Sequence, residues 1–139
     1  MKDSAMAREF PNRVLVVDHE PLIRWSLCTA LAAAGFDAVG AEDVTAALRL
    51  AAEWPPPRVA LIDWGPAKDT AHLVTAIRCI YPNCRFVLMT TADRRDLVAP
   101  GSWDAVVIDK PFDLAQIIAL VSDVAEGRDC PPLDLRKGA

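Results

Sequence analysis

The stretch RVLVVDHEPLIRWSL, residues 13 to 27, decides the fold class because two hydrophobic periods meet in it at one proline. The run 14–17 is apolar and rich in valine, which is typical of a strand buried on both faces. Pro21 suits the first turn of a helix, and Gly35 can adopt the left-handed conformation that ends one. The stretch therefore predicts a strand followed by a helix, whose buried face would consist of Leu22, Ile23, Leu27, Ala30, Leu31 and Ala34.

The same alternation continues along the chain. Four more short apolar runs, at 38–39, 59–62, 86–89 and 105–108, have the composition of strands. Segments of helical period or length lie between them and after the last one. Strands and helices in alternation imply parallel βαβ units with right-handed crossovers, and hence a doubly wound α/β sheet.

The remaining helices are predicted from their caps and apolar spacing. Asp43 can cap the second helix, and the prolines at 55–57 cannot continue it. There is room for about two turns of a fourth helix between Asp93 and Pro100. The fifth starts near Asp113. The predicted inward residues are Val44, Ala47, Leu48 and Ala51 in the second helix, Leu73, Val74, Ile77 and Ile80 in the third, and Leu114, Ile117, Ile118 and Val121 in the fifth.

Length and composition favour one globular domain. The chain has 139 residues, of which 53% are hydrophobic and 24% charged, and a second full domain does not fit. We expect this domain to span 13–126, with an N-terminal tail at 1–12 and a tail or linker at 127–139. Both end segments are polar or proline-bearing and lack hydrophobic period.

The charge pattern and the apolar runs exclude two classes of partner. The formal charge is −4 and the 15 basic residues are scattered, so direct nucleic-acid binding is not expected. No apolar run approaches the roughly 18 residues of a membrane span, which favours a cytoplasmic protein. The four cysteines show no metal or redox spacing and are expected to be reduced and structural.

In a doubly wound sheet, ligands sit beyond the carboxyl ends of the strands. The residues just past these ends are Asp18, His19 and Glu20 after the first strand, Asp63 after the third, Thr90 and Thr91 after the fourth, and Lys110 after the fifth. A carboxylate nucleophile, oxygen ligands for a divalent cation and donors for phosphoryl oxygens are the groups that phosphoryl transfer to an aspartate requires. Each has an ordinary alternative: Asp63 in a turn, Thr91 in a strand, Lys110 in a solvated loop. Their combination favours function.

The segments RVLVVDHEP, VALIDWGP, FVLMTTAD and VVIDKPF resemble the signature segments of response-regulator receiver domains over about residues 12 to 126. PLIRWSL also resembles receivers of the NtrC type. The resemblance implies a flavodoxin-like (βα)5 fold with strand order 2-1-3-4-5. It also implies Asp63 as phosphoacceptor and metal ligand, with Asp18 and the Gly65 carbonyl as further Mg²⁺ ligands. Thr91 would be the switch hydroxyl, Lys110 the phosphate-pairing cation, and Pro111 would stand in the cis-proline position.

Four features depart from that family pattern. His19 stands where a second acid is expected, so Mg²⁺ should bind weakly and Mn²⁺ becomes a candidate, with His19 an atypical ligand. Pro66 comes one residue early in the loop after the acceptor. Val107 replaces the usual aromatic switch residue. Only residues 92–109 separate the switch hydroxyl from the lysine, so the fourth helix and its loops are short.

The leading hypothesis is a receiver that takes a phosphoryl group on Asp63 from a histidine kinase or a phosphotransfer protein and is not itself an enzyme. Its downstream partner would bind the face formed by the fourth helix, fifth strand and fifth helix, and the chain would be a monomer or a weak homodimer. The alternative is a pseudo-receiver that binds partners without phosphorylation. A dehalogenase-like phosphatase would need a second aspartate at position 65, which is Gly65.

Overall fold

A five-stranded parallel sheet forms the centre of the molecule. The computed structural model describes residues 13–53, 56–64, 69–91 and 105–126. The strands pair in the order β2-β1-β3-β4-β5, and every pair is parallel. This confirms the predicted doubly wound fold and its strand order. The strands are β1 Arg13–Val17, β2 Asp37–Ala41, β3 Val59–Asp63, β4 Arg85–Thr90 and β5 Val106–Asp109.

Helices connect these strands and continue after the last one. In the described ranges they are α1 Pro21–Ala33, α2 Val44–Ala51, α3 Asp69–Ile80 and α4 Leu114–Ala125. The helix named α4 is the one that the sequence predicted as the fifth. The predicted fourth helix between Asp93 and Pro100 lies outside the described residues, as do both predicted tails. None of the four described helices combines the length and apolar character that a bilayer crossing requires.

Local sequence signals explain where the helices begin and end. Pro21 opens α1, as predicted, and Gly35 follows its end with a φ of 100°, a left-handed conformation that favours glycine. The side chain of Asp43 accepts a hydrogen bond from the Ala46 amide at 2.8 Å and caps α2. Asp113 caps α4 by accepting from the Ala115 amide at 3.1 Å.

Each strand supplies side chains to two separate cores because successive residues of a strand point to opposite faces. On one face, Leu15, Ile62 and Leu88 pack with the buried residues of α2 and α3. On the other face, Val16, Leu61 and Met89 pack with the buried residues of α1 and α4. Helices therefore cover both faces of the sheet, so a ligand-binding site is expected at the ends of the strands.

Four helical residues predicted to be buried are exposed. They are Leu22 and Ala34 at the two ends of the first helix, Ile80 at the end of the third and Leu114 at the start of the last. All four lie in terminal turns or just past them. In α4 the predicted Ile117 and Val121 are buried, and Leu120 and Val124 pack beside them at helical spacing.

The described cysteines are free thiols in three different environments. Cys84 is buried, and burial raises the pKa of its thiol to about 12. Cys28 is half-buried, and burial raises its pKa against the opposing effect of the Arg24 charge. Cys79 is exposed, so the expectation of a buried structural thiol is wrong for this residue, which lies on the outer face of α3. Cys130 is outside the described residues.

Candidate functional site

The sheet brings three charged residues together at the carboxyl ends of its strands. Asp18 directly follows β1, Asp63 is the last residue of β3, and Lys110 directly follows β5. The Lys110 amide donates to the Thr90 carbonyl at 2.6 Å, which extends the pairing of β5 with β4 up to the lysine. These residues meet at one edge because parallel strands end on the same side of a sheet.

Lys110 bridges the two aspartates. Its Nζ lies 2.9 Å from Asp63 Oδ1 and 3.2 Å from Asp18 Oδ2. The side chain of Asp18 is fully buried, whereas 13% of the Asp63 side chain and 17% of the Lys110 side chain are exposed. Asp63 is therefore the carboxylate that a molecule in solution can reach.

The charge of Lys110 is maintained by these contacts. Burial alone lowers the pKa of the ammonium, but the hydrogen bond and charge of Asp63, together with the charge and hydrogen bond of Asp18, hold the pKa above its ordinary value. Lys110 is thus a permanent cation at neutral pH. One positive charge faces two carboxylates and leaves the pocket acidic.

His19 lies on the solvent side of the same carboxylates. Its Nδ1 is 3.4 Å from Asp63 Oδ2 and 3.9 Å from Asp18 Oδ1, and its side chain is 74% exposed. Each aspartate therefore directs one oxygen towards Lys110 and the other towards the imidazole. This arrangement gives the pocket a partly buried lysine on one side and an exposed imidazole on the other.

Three backbone and side-chain contacts hold Asp18 in place besides Lys110. Its amide donates to the Ala41 carbonyl at 3.1 Å, and its Oδ1 accepts from the Glu20 amide at 2.9 Å. Its own carbonyl accepts from Arg24 Nη1 at 2.8 Å. Sequence reasoning did not select Arg24. The available signal was an arginine in the first turns of α1, facing the glycine of the neighbouring strand.

Asp63 is positioned by the strand that ends with it and by the residue that follows. The Trp64 amide donates to the Met89 carbonyl at 2.7 Å and prolongs the pairing of β3 with β4 past the aspartate. The Trp64 side chain is buried in the core on the α2 and α3 face. The backbone at Asp63 is therefore anchored on both sides.

The other predicted site residues have different outcomes. Thr91 follows β4 at the same edge, and its Oγ1 is buried without a hydrogen-bond partner in the described part of the chain. A buried hydroxyl in that state is costly unless a ligand or water engages it. The predicted cis proline is confirmed, since the Lys110–Pro111 bond is cis. Gly65 and Pro66 lie outside the described residues.

Val107 occupies the position where receivers usually carry an aromatic switch residue. Its side chain is buried in the core on the α2 and α3 face. A valine is too short to alternate between an inward and an outward position as an aromatic ring can. The face beside β5 therefore lacks that element of the usual switch.

The donor set at this edge fits a divalent cation, but not a purely oxygen-ligated one. Asp18, His19 and Asp63 each offer a ligand atom, and these atoms lie within 4.8 Å of one another. Two of the donors are carboxylates, which suit hard ions, and one is an imidazole, which suits transition metals. An ion that accepts nitrogen as well as oxygen matches the set best.

Comparisons with known proteins agree with the architecture. No family model matches the chain. The transcriptional regulatory proteins PrrA of Mycobacterium tuberculosis and Mycobacterium bovis are each 33% identical over 119 residues, which cover 84% of this chain and 51% of theirs. The receiver domain of nitrogen regulatory protein C is 30% identical, with a TM-score of 0.72 over 85% of this chain and 97% of that one. This chain belongs to the response-regulator receiver family.

Other receivers share the fold at lower identity. A two-component regulator of the AraC type from Clostridium phytofermentans is 28% identical, with a TM-score of 0.70 over 83% of this chain and 92% of that one. A receiver domain from Clostridium thermocellum matches with a TM-score of 0.74 at 19% identity, over 84% and 95%. This receiver spans about half the length of the curated relatives it matches.

Proposed function

We propose that this receiver accepts a phosphoryl group on Asp63 from a histidine kinase or a phosphotransfer protein and signals through the resulting conformational change. The observation that carries the proposal is the bridge from Lys110 to both Asp63 and Asp18, with Asp63 accessible at the edge of the pocket. A partly buried cation held against a carboxylate that solvent can still reach is suited to phosphoryl transfer, which depends on positioning and charge stabilisation.

In the transfer, a carboxylate oxygen of Asp63 forms a bond to phosphorus as the bond between phosphorus and the donor imidazole breaks. The donor nitrogen keeps the bonding electron pair and takes up a proton, and Asp63 becomes an acyl phosphate. Lys110, already within hydrogen-bond distance of Asp63, can turn to an oxygen of the incoming group. Its positive charge then balances charge that grows on the phosphoryl oxygens.

Asp18, Asp63 and His19, with the Gly65 carbonyl, would hold a divalent cation beside the acceptor. Such an ion supplies positive charge to the phosphoryl oxygens and to the two carboxylates. Mg²⁺ should bind weakly because an imidazole replaces a carboxylate, whereas Mn²⁺ tolerates both kinds of ligand. Lys110 and the cation together would neutralise most of the charge that the phosphoryl group brings.

The signal would leave the pocket through Thr91. Its buried hydroxyl, which has no hydrogen-bond partner among the described residues, is available to an oxygen of the phosphoryl group, which would draw the end of β4 towards Asp63. We place the downstream partner on the face formed by the predicted fourth helix, β5 and α4. Because Val107 cannot act as the aromatic switch, this output would depend on Thr91 and its loop.

The pseudo-receiver remains a second candidate for a specific reason. Lys110 binds one oxygen of Asp63 at 2.9 Å, and His19 Nδ1 lies 3.4 Å from the other. Both oxygens of the acceptor thus face nitrogen atoms that the chain itself provides. If these contacts persist, the pocket is closed and the domain binds its partners without phosphorylation.

The proposal also covers the location, oligomeric state and partners of the domain. We propose a cytoplasmic, non-enzymatic protein that is a monomer or a weak homodimer. Its partners would be proteins, with no direct contact to nucleic acid or membrane. The scattered distribution of the 15 basic residues supports this choice.

Incubation with acetyl phosphate tests the proposed phosphorylation. In the presence of Mn²⁺ or Mg²⁺, intact-mass spectrometry should show the addition of one phosphoryl group to the wild type. Asp63→Asn should show none, and circular dichroism should confirm that it remains folded. An unchanged wild-type mass at high donor and metal concentrations would favour the pseudo-receiver.

A further inference from the structure

Arg24 crosses from helix α1 to the loop that carries Asp18 and His19. The side chain is half-buried, and its Nη1 donates to the Asp18 carbonyl at 2.8 Å. That carbonyl belongs to the peptide unit between Asp18 and His19. The guanidinium therefore holds the orientation of this peptide plane, to which the Cα of His19 is attached. Hydrogen bonds from charged donors are stronger than neutral ones, and this contact is part-buried.

Gly40 provides the space that this side chain needs. It lies in β2 opposite Val16 of β1, one residue before Ala41, whose carbonyl accepts from the Asp18 amide. A Cβ at position 40 would lie 2.9 Å from Arg24 Cγ and 3.1 Å from Arg24 Cδ. Because Cγ is near the root of the side chain, Arg24 would have to leave its present path. The strand thus holds a glycine where the arginine passes.

Because of the other contacts around Asp18, loss of the Arg24 hydrogen bond should affect the pocket residues Asp18 and His19 rather than the rest of the fold. The Asp18 amide is fixed by β2, its carbonyl by Arg24, and its two carboxylate oxygens by Glu20 and Lys110. Without the guanidinium, the peptide that follows Asp18 loses the side-chain hydrogen bond that Arg24 donates to its carbonyl. The carboxylate of Asp18 and the imidazole of His19 then lose their common orientation.

We propose that Arg24 is a positioning residue, for which Gly40 leaves the necessary space. Its hydrogen bond holds the orientation of the Asp18–His19 peptide and thereby aligns the ligand atoms of these two residues that face Asp63. The expected effect of Arg24 on phosphorylation rests on the function proposed above. The positioning role of Arg24 does not depend on that function, because the orientation of the loop can be measured with no metal and no phosphodonor.

Two substitutions remove this contact by different routes. Arg24→Met keeps an unbranched stem but removes the guanidinium, and Gly40→Ala keeps the guanidinium but obstructs the stem. Alanine is also a better strand residue than glycine, and besides Arg24 the nearest atom to its Cβ among the described residues would be Cys28 Sγ, at 3.3 Å. If both act through the same hydrogen bond, the double variant should behave like either single variant. Arg49→Met, which changes an exposed arginine of α2, is the matched control.

The first measurement is amide hydrogen exchange by NMR on the protein without metal. The Glu20 amide, which donates to Asp18 Oδ1, should exchange about tenfold faster in both variants, while amides of the central strands keep their wild-type rates. Arg24→Lys, whose amine can still donate to the carbonyl, should recover part of the protection. The second measurement is Mn²⁺ binding by calorimetry, where the dissociation constant should rise about fivefold in both variants.

The possible outcomes separate this proposal from the proposed function. Wild-type exchange at Glu20 in both variants, or equal acceleration throughout the core, would overturn the positioning role and indicate a merely structural arginine. Additive effects in the double variant would overturn the joint action of Arg24 and Gly40. Localised acceleration at Glu20 in a protein that acetyl phosphate does not modify would support the positioning role and count against the proposed function alone.

Discussion

At the scale of single residues, His19 is the feature that most distinguishes this pocket. It lies 3.4 Å from an oxygen of the acceptor and stands where receivers usually have a carboxylate. His19→Asp should restore a hard oxygen ligand and a negative charge. We expect about tenfold tighter Mg²⁺ binding, or ~1.4 kcal/mol, and faster phosphorylation by acetyl phosphate.

Calorimetry with Mg²⁺ measures this change, and the chain offers a matched control. His72, the other histidine, is exposed on α3, and His72→Asp should leave Mg²⁺ affinity unchanged. Equal affinity in wild type and His19→Asp would show that position 19 is not part of the cation site.

Lys110 is the second residue whose contribution can be isolated. Lys110→Met leaves the Asp18 carboxylate, with no exposed side-chain surface, facing Asp63 without a cation. Removal of one partner from a buried pair usually costs about 3 kcal/mol. The free energy of unfolding, measured in urea, should fall by about that amount. Much of the loss should return in Lys110→Met/Asp18→Asn, and a double variant as unstable as the single one would contradict this account.

At the scale of elements, helix α4 begins four residues after Lys110 and depends on its cap. The side chain of Asp113 accepts from the Ala115 amide, and Gln116 Oε1 accepts from the Asp113 amide at 3.3 Å. Asp113→Ala should therefore cost about 1 kcal/mol of stability, whereas Asp113→Asn, which keeps a capping oxygen, should cost much less. Chemical denaturation measures both, and equal losses would mean that the cap is not the cause.

At the scale of the whole molecule, stability should decline on the alkaline side. Burial raises the pKa of the Cys84 thiol to about 12 in the folded protein, against an ordinary value of 9.0 in the unfolded chain. A raised pKa means that the folded state holds its proton more tightly, so this contribution is complete below pH 9 and is lost as the pH rises towards 12. The pKa of Lys110 is also raised, so its contribution to stability is likewise lost as the pH rises above the ordinary pKa of a lysine.

Thermal unfolding between pH 8 and about pH 10.5 tests this contribution. Cys84→Ala should lower stability at pH 8 but show a shallower decline with pH than the wild type. Cys79→Ala, at an exposed thiol, should retain the wild-type slope. A wild-type slope in Cys84→Ala would show that the Cys84 thiol is not responsible.

The fold was predictable because strand runs and helix caps are local signals. Pro21, Asp43 and Asp113 each begin or cap a helix as the sequence indicates. The meeting of Asp18, Asp63 and Lys110 followed from parallel strands that end at one edge. These inferences need no knowledge of how helices are placed across the sheet.

Other features depend on that placement and could not be predicted. Leu22, Ile80 and Leu114 match the apolar period of their helices, but they lie in the terminal turns, which extend past the packed interface. The contact of Arg24 with the Asp18 carbonyl depends on the register of β1 with β2, which places Gly40 beneath the arginine. A local sequence pattern encodes neither the pairing register of two strands nor how far a helix extends past the surface on which it packs.

Chemical mapping of the acyl phosphate would show directly whether Asp63 is the residue that becomes phosphorylated. After treatment with acetyl phosphate and Mn²⁺, borohydride reduction converts a phosphorylated aspartate to homoserine, which peptide mass spectrometry can assign to one position. The account predicts homoserine at position 63, dependent on the phosphodonor. Homoserine at another acidic residue, or at none while the protein remains folded, would contradict it.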